Sequence, residues 1–347
     1  MILIGTGIAG SALAYELEHT GIPYLICTDQ KNPLCNTSSL SYGHCRLATD
    51  LEEIVRRSVS QLGEDEEKMR FVYSQTHLVP ELLTDLGVEF EKRSFGIIPI
   101  KQRGGNTIVK KLQSSIPNIL TETMLIDFSR TDSFDITFKK AEGIFRAKSK
   151  FLVLATGGYA GSFSNTDNLK YSTYNIFDLV RKNKGEIINT ECLFIHPFGY
   201  KGGKHILIGK VTKTGEFVDD HGNFVFNEKT RQLIKDDNYH EIFDQLLAQA
   251  DTCRANGSEV YFVNAEMKEK VTPCIHYTSG GVRTDYLGRA VGCPGLFAIG
   301  ECQANGSRKN GRFPGYPFTS SIVYGKVLAG YFAKELHITQ STILSAL

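Results

Sequence analysis

Residues 274–301 hold side chains whose types and spacing could carry chemistry. The stretch contains His276, a glycine pair, an arginine and a closing Gly-Glu. An imidazole exchanges protons near neutral pH, and a carboxylate accepts hydrogen bonds from hydroxyls and amides. The stretch therefore belongs either to a reactive site or to packing around a nucleotide, and the rest of the chain must decide between the two.

A glycine motif at the N-terminus predicts dinucleotide binding. Residues 2–15 read ILIGTGIAGSALAY, a short apolar strand that runs through Gly5, Gly7 and Gly10 into a helix. Gly5 allows the tight turn, Gly7 lets a pyrophosphate approach the backbone, and Gly10 allows close helix–strand packing. The helix N-terminus supplies amide donors and the positive end of a dipole.

Two further segments favour FAD over a nicotinamide. Residues 150–160 form an apolar strand ending in Ala-Thr-Gly-Gly, and residues 295–301 form another ending in Gly-Glu. Flavoproteins with two dinucleotide-binding signatures carry both segments. At the second strand, Thr28 has the usual spacing for a ribose contact and Asp29 follows it; a plain turn aspartate stays open. The predicted cofactor-binding residues of these segments are Gly5, Gly7, Ile8, Ala9, Gly10, Thr28, Asp29, Ser38, Ser39, Ala155, Thr156, Gly157, Gly300 and Glu301.

Composition excludes several other classes of protein. The 347 residues carry a formal net charge of +1 without a concentrated basic stripe, which argues against nucleic-acid binding. No run of about 20 apolar residues predicts a membrane span, and no signal peptide precedes the glycine motif, so we expect a cytoplasmic protein. The eight cysteines form no C-x-x-C pair, so we predict no metal site.

The elements that must position these residues predict an α/β fold. We expect a Rossmann-like, two-dinucleotide-binding FAD domain built from residues 1–195 and 271–347. Residues 118–150 alternate like a β-meander. Residues 196–270 are richer in charge and read as a small inserted α+β capping domain, with a hairpin near residue 221 and a helix after residue 238.

With these pieces placed, the chain resembles the L-aspartate oxidase and fumarate reductase/succinate dehydrogenase flavoprotein family. The resemblance rests on IGTGIAGSALA, LVLATGGY, FIHPFGY and HYTSGGVRTDYLGRA followed by GLFAIGE. It implies hydride transfer between a small amino or dicarboxylic acid and flavin N5. It also implies that His276 and Arg312 hold substrate carboxylate, that His196 lines the same cavity, and that backbone around Pro317, Phe318 and Thr319 contacts the flavin ring.

The departures from the family concern proton transfer. The family's Arg-Gly-Glu segment reads LIGKVTKTGEF here, and its Pro-Arg-Asp segment reads DNYHEIFDQ, which places His240 and Glu241 where Arg-Asp is expected. A histidine could replace an arginine as acid or base, and an exposed helix histidine is the open alternative. The family's flavin-linking histidine falls near Thr37, which implies noncovalent FAD.

Three functions stay open at this point. The first is an FAD-dependent oxidoreductase of the L-aspartate oxidase type, with an unidentified electron acceptor. The second is a flavoprotein of the same fold with a different substrate, since both arginine segments are altered. The third is an FAD-binding subunit with reduced catalysis that works with a partner subunit.

Overall fold

A computed structural model describes residues 1–93, 95–100, 103–170, 174–236, 239, 242–308 and 312–336 of the chain. The predicted candidate His240 lies outside the described residues, as does its neighbour Glu241. Nothing further about these two side chains follows from the structure.

The centre of the molecule is a five-stranded parallel sheet. Its strands, in spatial order, are Leu296–Ala298, Leu152–Leu154, Ile2–Ile4, Leu25–Cys27 and Ile119–Leu120. The three central strands are apolar and almost entirely buried because other elements cover both faces of the sheet. Parallel strands present their carboxyl ends at one edge, so Gly5, Thr28, Ala155 and Ile299 follow their strands at the same side of the sheet.

Two long helices pack together on one face of this sheet. Helix Ile8–Thr20 follows the glycine turn, and helix Tyr316–Glu335 brings the end of the described chain back against it. A Cβ atom on Gly325 would lie 2.8 Å from the carbonyl carbon of Ala12, so the glycine permits this close approach. The last helix thereby places its N-terminus beside the carboxyl edge of the sheet.

The β-meander expected between residues 118 and 150 is present. Strands Met124–Arg130, Phe134–Lys140 and Gly143–Ser149 form an antiparallel three-stranded sheet. The middle strand alternates as a sheet with one buried face requires, with Phe134, Ile136 and Phe138 buried.

A second five-stranded sheet is antiparallel throughout and holds a separate aromatic core. Its strands, in spatial order, are His205–Ile206, Leu193–Tyr200, Lys268–Thr278, Val260–Val263 and Glu216–Val218. Helices Glu228–Lys235 and Phe243–Ala255 contribute to this core, where Phe198 stacks on Phe217 at 4.3 Å between ring centroids. The two longest strands run across the boundaries that the sequence predicts at residues 196 and 270.

The hairpin predicted near residue 221 is present, and its second arm is short. Strand Glu216–Val218 pairs with Val260–Val263, and an isolated bridge joins Val218 to Phe224. The segment then enters helix Glu228–Lys235, whose N-cap Asn227 accepts a hydrogen bond from the backbone of Thr230. The backbone N–H groups of Asp219 and Val225 donate to the carbonyls of Asn223 and Phe217, so the predicted hairpin is confirmed, with a short second arm that ends before the helix cap.

The remaining elements surround these sheets. The helices are Thr37–Leu40, Leu51–Leu62, Glu66–Tyr73, Leu78–Asp85, Gly104–Ser114, Tyr174–Lys182 and Gly209–Thr212. Short 3-10 turns are Ala160–Ser162 and Gly300–Cys302, and the small sheets are formed by Cys45–Arg46, Gly96–Pro99 and Phe90–Arg93, and by Ile187–Ile188 and Gly281–Val282. None of the helices in the described part of the chain is long and apolar enough to cross a bilayer.

Candidate active site

One large cavity of about 2060 Å³ connects the two sheets. It begins at the carboxyl edge of the parallel sheet, where Gly5 and Thr28 line it, and reaches His196 and His276 on the second sheet. We call these the nucleotide end and the substrate-side end. A cavity of this volume suits a ligand much larger than an amino acid.

Close backbone contacts shape the nucleotide end. Gly5 has φ +110°, and a Cβ atom there would overlap the carbonyl oxygen of Ala155. A Cβ atom on Gly10 would overlap the carbonyl oxygen of Gly5. Gly10 does not line the cavity, which agrees with the packing role that the motif predicts for it.

The N-terminus of helix Ile8–Thr20 opens into the same end of the cavity. Its N-cap residue is Gly7, so no side chain caps the helix. The backbone N–H of Ile8 donates to Ser38 Oγ at 3.1 Å, which holds one predicted cofactor residue against the helix start. Ala9 also lines the cavity. Uncapped amides and a helix dipole favour a phosphate at this position.

Unpartnered hydroxyls show that this end of the cavity fits a ligand rich in hydrogen-bonding oxygens. Ser39 Oγ and Thr156 Oγ1 are buried, line the cavity and have no hydrogen-bond partner among the described residues. Buried hydroxyls are normally hydrogen-bonded. Thr28 is buried and Asp29 is exposed, and both line the cavity. That Thr28 or Asp29 contacts the ribose stays a prediction.

Glu301 connects the nucleotide end to the second sheet. Its Oε1 accepts hydrogen bonds from the backbone N–H of Thr278 at 2.9 Å and from the Thr278 hydroxyl at 3.1 Å. Burial raises the pKa of Glu301, although the Thr278 bonds and the charge of Arg312 oppose the rise. A Cβ atom on the preceding Gly300 would lie 2.9 Å from the Cβ of Ala9. The carboxylate oxygen expected to meet the cofactor is thus engaged by Thr278.

The start of the last helix lies at the middle of the cavity. Pro317 and Phe318 line it, as do Ala155, Gly157 and Gly300. Thr319 does not: its side chain is buried and its hydroxyl donates to the carbonyl of Arg46 at 2.7 Å. Thr319 therefore fixes the helix start against strand Cys45–Arg46, and a contact with a ligand would need its backbone.

Arg312 lies at the substrate-side end between two aromatic rings. Its guanidinium carbon is 4.4 Å from the ring centroid of Tyr277 and 5.0 Å from that of Phe194. Among the described residues no carboxylate pairs with it within 4.0 Å, and its buried Nε has no acceptor. Burial lowers the pKa of Arg312, opposed chiefly by Tyr277 and Glu301, yet a guanidinium remains charged at neutral pH.

His276 forms a hydrogen bond with Asp167 that sequence reasoning missed. Its Nδ1 is 2.8 Å from Asp167 Oδ2, and the two side chains are 27% and 16% exposed. Burial alone would raise the pKa of Asp167, but the charge and hydrogen bond of His276 lower it below the ordinary value. The partners are 109 residues apart in the chain, and Asp167 stands in the ordinary-looking loop NTDN, so no local signal marks it.

His196 lies beside His276 and is buried. The ring centroids of the two histidines are 6.0 Å apart. His196 Nδ1 accepts a hydrogen bond from the backbone N–H of Phe198 at 3.2 Å, which leaves the proton of a neutral ring on Nε2. The structure therefore brings together three of the four predicted catalytic residues, His276, Arg312 and His196.

Comparison with known proteins gives the cavity its context. A sequence model of the FAD binding domain family matches residues 225–316. The L-aspartate oxidase of Pyrococcus furiosus is 24% identical over 361 residues, covering 93% of this chain and 75% of that protein. The L-aspartate oxidase of Halalkalibacterium halodurans is 21% identical over 386 residues, covering 100% of this chain and 74% of that protein.

The chain is similar to the FAD-binding oxidoreductases of the L-aspartate oxidase and fumarate reductase type.

Solved structures agree at the level of the fold. A variant of E. coli quinol fumarate reductase FrdA superimposes with a TM-score of 0.81 at 14% identity, over 99% of this chain and 72% of that one. The 3-ketosteroid delta1-dehydrogenase of Sterolibacterium denitrificans gives a TM-score of 0.74 at 10% identity, over 96% of this chain and 99% of that one. The same flavoprotein fold therefore occurs in proteins with different substrates.

FAD is the cofactor of this oxidoreductase. The residues at the nucleotide end fit it. The uncapped helix start would hold the pyrophosphate, and the unpartnered hydroxyls Ser39 and Thr156 offer hydrogen bonds to its oxygens. Bound FAD would supply an acceptor for one hydride, which carries two electrons and a proton.

A group of cations on the second sheet was also missed from the sequence. Lys204, His205, Lys210 and Lys213 line the mouth of the cavity of this oxidoreductase, and all four side chains are exposed. Residues 201–213, KGGKHILIGKVTK, contain no acidic residue, which is the signal that could have revealed the group. We call these four residues the basic rim.

Proposed function

We propose that this chain oxidises a small amino or dicarboxylic acid that binds at the substrate-side end of the cavity, with the hydride passing to flavin N5. The second sheet serves as the cap over that site. The observation that supports this proposal most directly is Arg312, a buried guanidinium that is held by rings and is not paired with a carboxylate among the described residues.

The chemistry of Arg312 selects a carboxylate ligand. A buried cation without a counter-ion is costly, and an incoming carboxylate would offset that cost through charge-assisted hydrogen bonds. The rings of Tyr277 and Phe194 fix the guanidinium in one orientation, which reduces the entropy lost on binding. His196 and His276 line the same end of the cavity, and a substrate with two carboxylates would meet these polar side chains as well as Arg312.

The experiment is anaerobic reduction of the bound flavin. Purified holoprotein is mixed with L-aspartate, succinate and related acids, and the loss of flavin absorbance is followed. We expect at least one of these acids to bleach the flavin, and release of flavin on acid denaturation would agree with noncovalent FAD. Flavin that none of the acids reduces would contradict the proposal.

Arg312→Ala tests the residue that carries the proposal. We expect kcat/KM to fall at least about 100-fold, the loss typical of a positioned charge-stabilising donor, with the flavin retained. Arg312→Lys retains the charge without the two-pronged geometry and should recover only part of the loss. Arg283→Ala is the matched control, since it removes an exposed pair with Glu186. Normal turnover by Arg312→Ala would refute the assignment.

A different substrate on the same fold is the second candidate. It is favoured by the ketosteroid dehydrogenase whose whole length matches this chain, and by the aromatic side chains Phe194, Tyr239, Phe243 and Tyr277 that line the substrate-side end. Bleaching by a 3-ketosteroid and not by any acid would support this candidate. If no compound reduces the flavin and the protein co-purifies with a partner, the chain would instead be an FAD-binding subunit with diminished catalysis.

A further inference from the structure

The two histidines of the substrate-side end differ in the hydrogen bond that Nδ1 makes. His196 Nδ1 accepts the backbone N–H of Phe198, so the neutral ring carries its proton on Nε2 and acts as a donor there. His276 Nδ1 faces a carboxylate oxygen of Asp167 at 2.8 Å, so its proton lies on Nδ1. Nε2 of His276 then holds a lone pair, and it makes no hydrogen bond with any described residue.

We propose that Asp167 is a positioning residue that fixes His276 in this tautomer, and that His276 Nε2 accepts the proton that leaves the substrate. This inference rests on the proposed function and assigns the proton-transfer step within it. His276 would thus act as a base, and Arg312 and His196 would hold the carboxylates.

The step balances with FAD as the oxidant. In a saturated dicarboxylic acid, one carbon loses a hydride to the flavin, and the neighbouring C–H bond breaks so that its electron pair forms the C=C bond. In an amino acid, the Cα–H hydride leaves in the same way, and the N–H electron pair forms the C=N bond. In both cases the remaining proton passes to His276 Nε2, and the carboxylate of Asp167 stabilises the resulting imidazolium.

The surroundings of His276 suit this role. Asp167 provides the one carboxylate within hydrogen-bonding distance of the ring in the described part of the chain. The other charged or titratable groups on the same part of the cavity wall include His196, Tyr239, Tyr277, Glu301 and Arg312. Phe194 packs against the imidazole at 6.0 Å between centroids and also against Arg312 at 5.0 Å, so one ring sets the spacing of base and cation.

The two segments in which the family resemblance places the proton-transferring arginines contain no arginine in this chain. Residues 207–217 contain lysines and no arginine, and residues 237–245 contain His240 in its place. Lys210 is exposed at the cavity mouth. A hydrated lysine ammonium keeps its proton at neutral pH, so it is unsuited to accept the proton of the substrate. The Asp167–His276 pair lies deeper and supplies a lone pair.

The first test reads the tautomer directly. Holoprotein with 15N-labelled histidine is studied by NMR, and the His276 signals are assigned by their loss in His276→Gln. We expect a protonated Nδ1 and an unprotonated Nε2 in the wild type, and loss of that preference in Asp167→Asn. Asp127→Asn is the matched control, because it neutralises an exposed aspartate paired with Lys182. A wild-type ring protonated on Nε2 would overturn the proposal.

The second test separates proton transfer from substrate binding. Malonate has one carbon between its carboxylates, so it cannot lose a hydride and a proton from adjacent carbons and serves as a binding probe. We expect Asp167→Asn to slow flavin reduction at saturating acid about 10-fold or more and His276→Gln about 100-fold, in line with general-base catalysis. The Kd for malonate should change by less than about threefold, roughly 0.7 kcal/mol.

The outcomes distinguish the two proposals. A malonate Kd that rises as much as the rate falls would show that His276 only holds a carboxylate, and would overturn this inference while the proposed function stands. Flavin reduction in Asp167→Asn at the wild-type rate would likewise overturn the inference alone. A wild-type protein that neither binds malonate nor is reduced by any acid would refute the proposed function, and the inference with it.

Discussion

The two ends of the cavity are built by different means. At the nucleotide end, backbone approaches backbone: Gly5 lies against Ala155 and Gly10 against Gly5. At the substrate-side end, side chains set the geometry, with Arg312 held by rings and His276 held by Asp167. Backbone contacts tolerate no added atom, whereas the side-chain site can exchange one polar group for another. The first end is therefore fixed by packing, and the second is open to new chemistry.

The largest effect should come from adding one carbon at the nucleotide end. Gly10→Ala places a Cβ against the carbonyl of Gly5, and helix Ile8–Thr20 must move away from the strand. We expect the free energy of unfolding to fall by about 1–3 kcal/mol and the Kd for FAD to rise at least about 10-fold. Chemical denaturation and flavin titration measure the two effects.

Gly330→Ala is the control for that change. Gly330 is an exposed position of helix Tyr316–Glu335 with open space around its Cα. Alanine there should stabilise the protein by about 0.5–1 kcal/mol, because glycine is the poorer helix former. If both variants unfold and bind FAD alike, the contrast between tight backbone contacts and open surface fails for this helix pair.

The same contrast explains what could be predicted from the sequence. The glycine motif and the two Gly-containing strand ends are local patterns, and the structure places them at one sheet edge; the β-meander is also a local pattern and forms a sheet of its own. The Asp167–His276 pair joins residues 109 positions apart, and neither residue type nor spacing reveals such a contact.

Glu301 joins the two ends, and its removal should have an intermediate effect with a defined pH dependence. Burial raises the pKa of Glu301 in the folded protein. A carboxyl with a raised folded pKa destabilises the protein progressively as pH rises from the unfolded value through the folded one. Glu301→Gln removes this penalty, and its side-chain oxygen can still accept the Thr278 N–H. We expect the variant to gain thermal stability at pH 7.5 relative to wild type, and less at pH 4.

Thermal unfolding of both proteins in the flavin-free state at several pH values provides the measurement. Glu259→Gln serves as the control, since Glu259 is exposed and pairs with Lys270 at 2.6 Å. A difference in Tm between Glu301→Gln and wild type that does not change with pH would show that the charge of Glu301 carries no such penalty. The connection between the two ends would then rest on hydrogen bonds alone.

The smallest effect concerns the basic rim, where charge acts at a distance. Lys204 and Lys210 are exposed at the cavity mouth, so they attract an anionic substrate through solvent. Such attraction changes encounter rates and is screened over about 8 Å at physiological salt. We expect the double change Lys204→Gln with Lys210→Gln to lower kcat/KM about two- to fivefold in dilute buffer. That loss should disappear at about 0.5 M salt, where kcat remains unchanged. Lys148→Gln, on the exposed strand Gly143–Ser149, should have neither effect. A loss that persists in high salt would instead place a rim lysine in direct contact with the substrate, and the substrate-side end would extend to the cavity mouth.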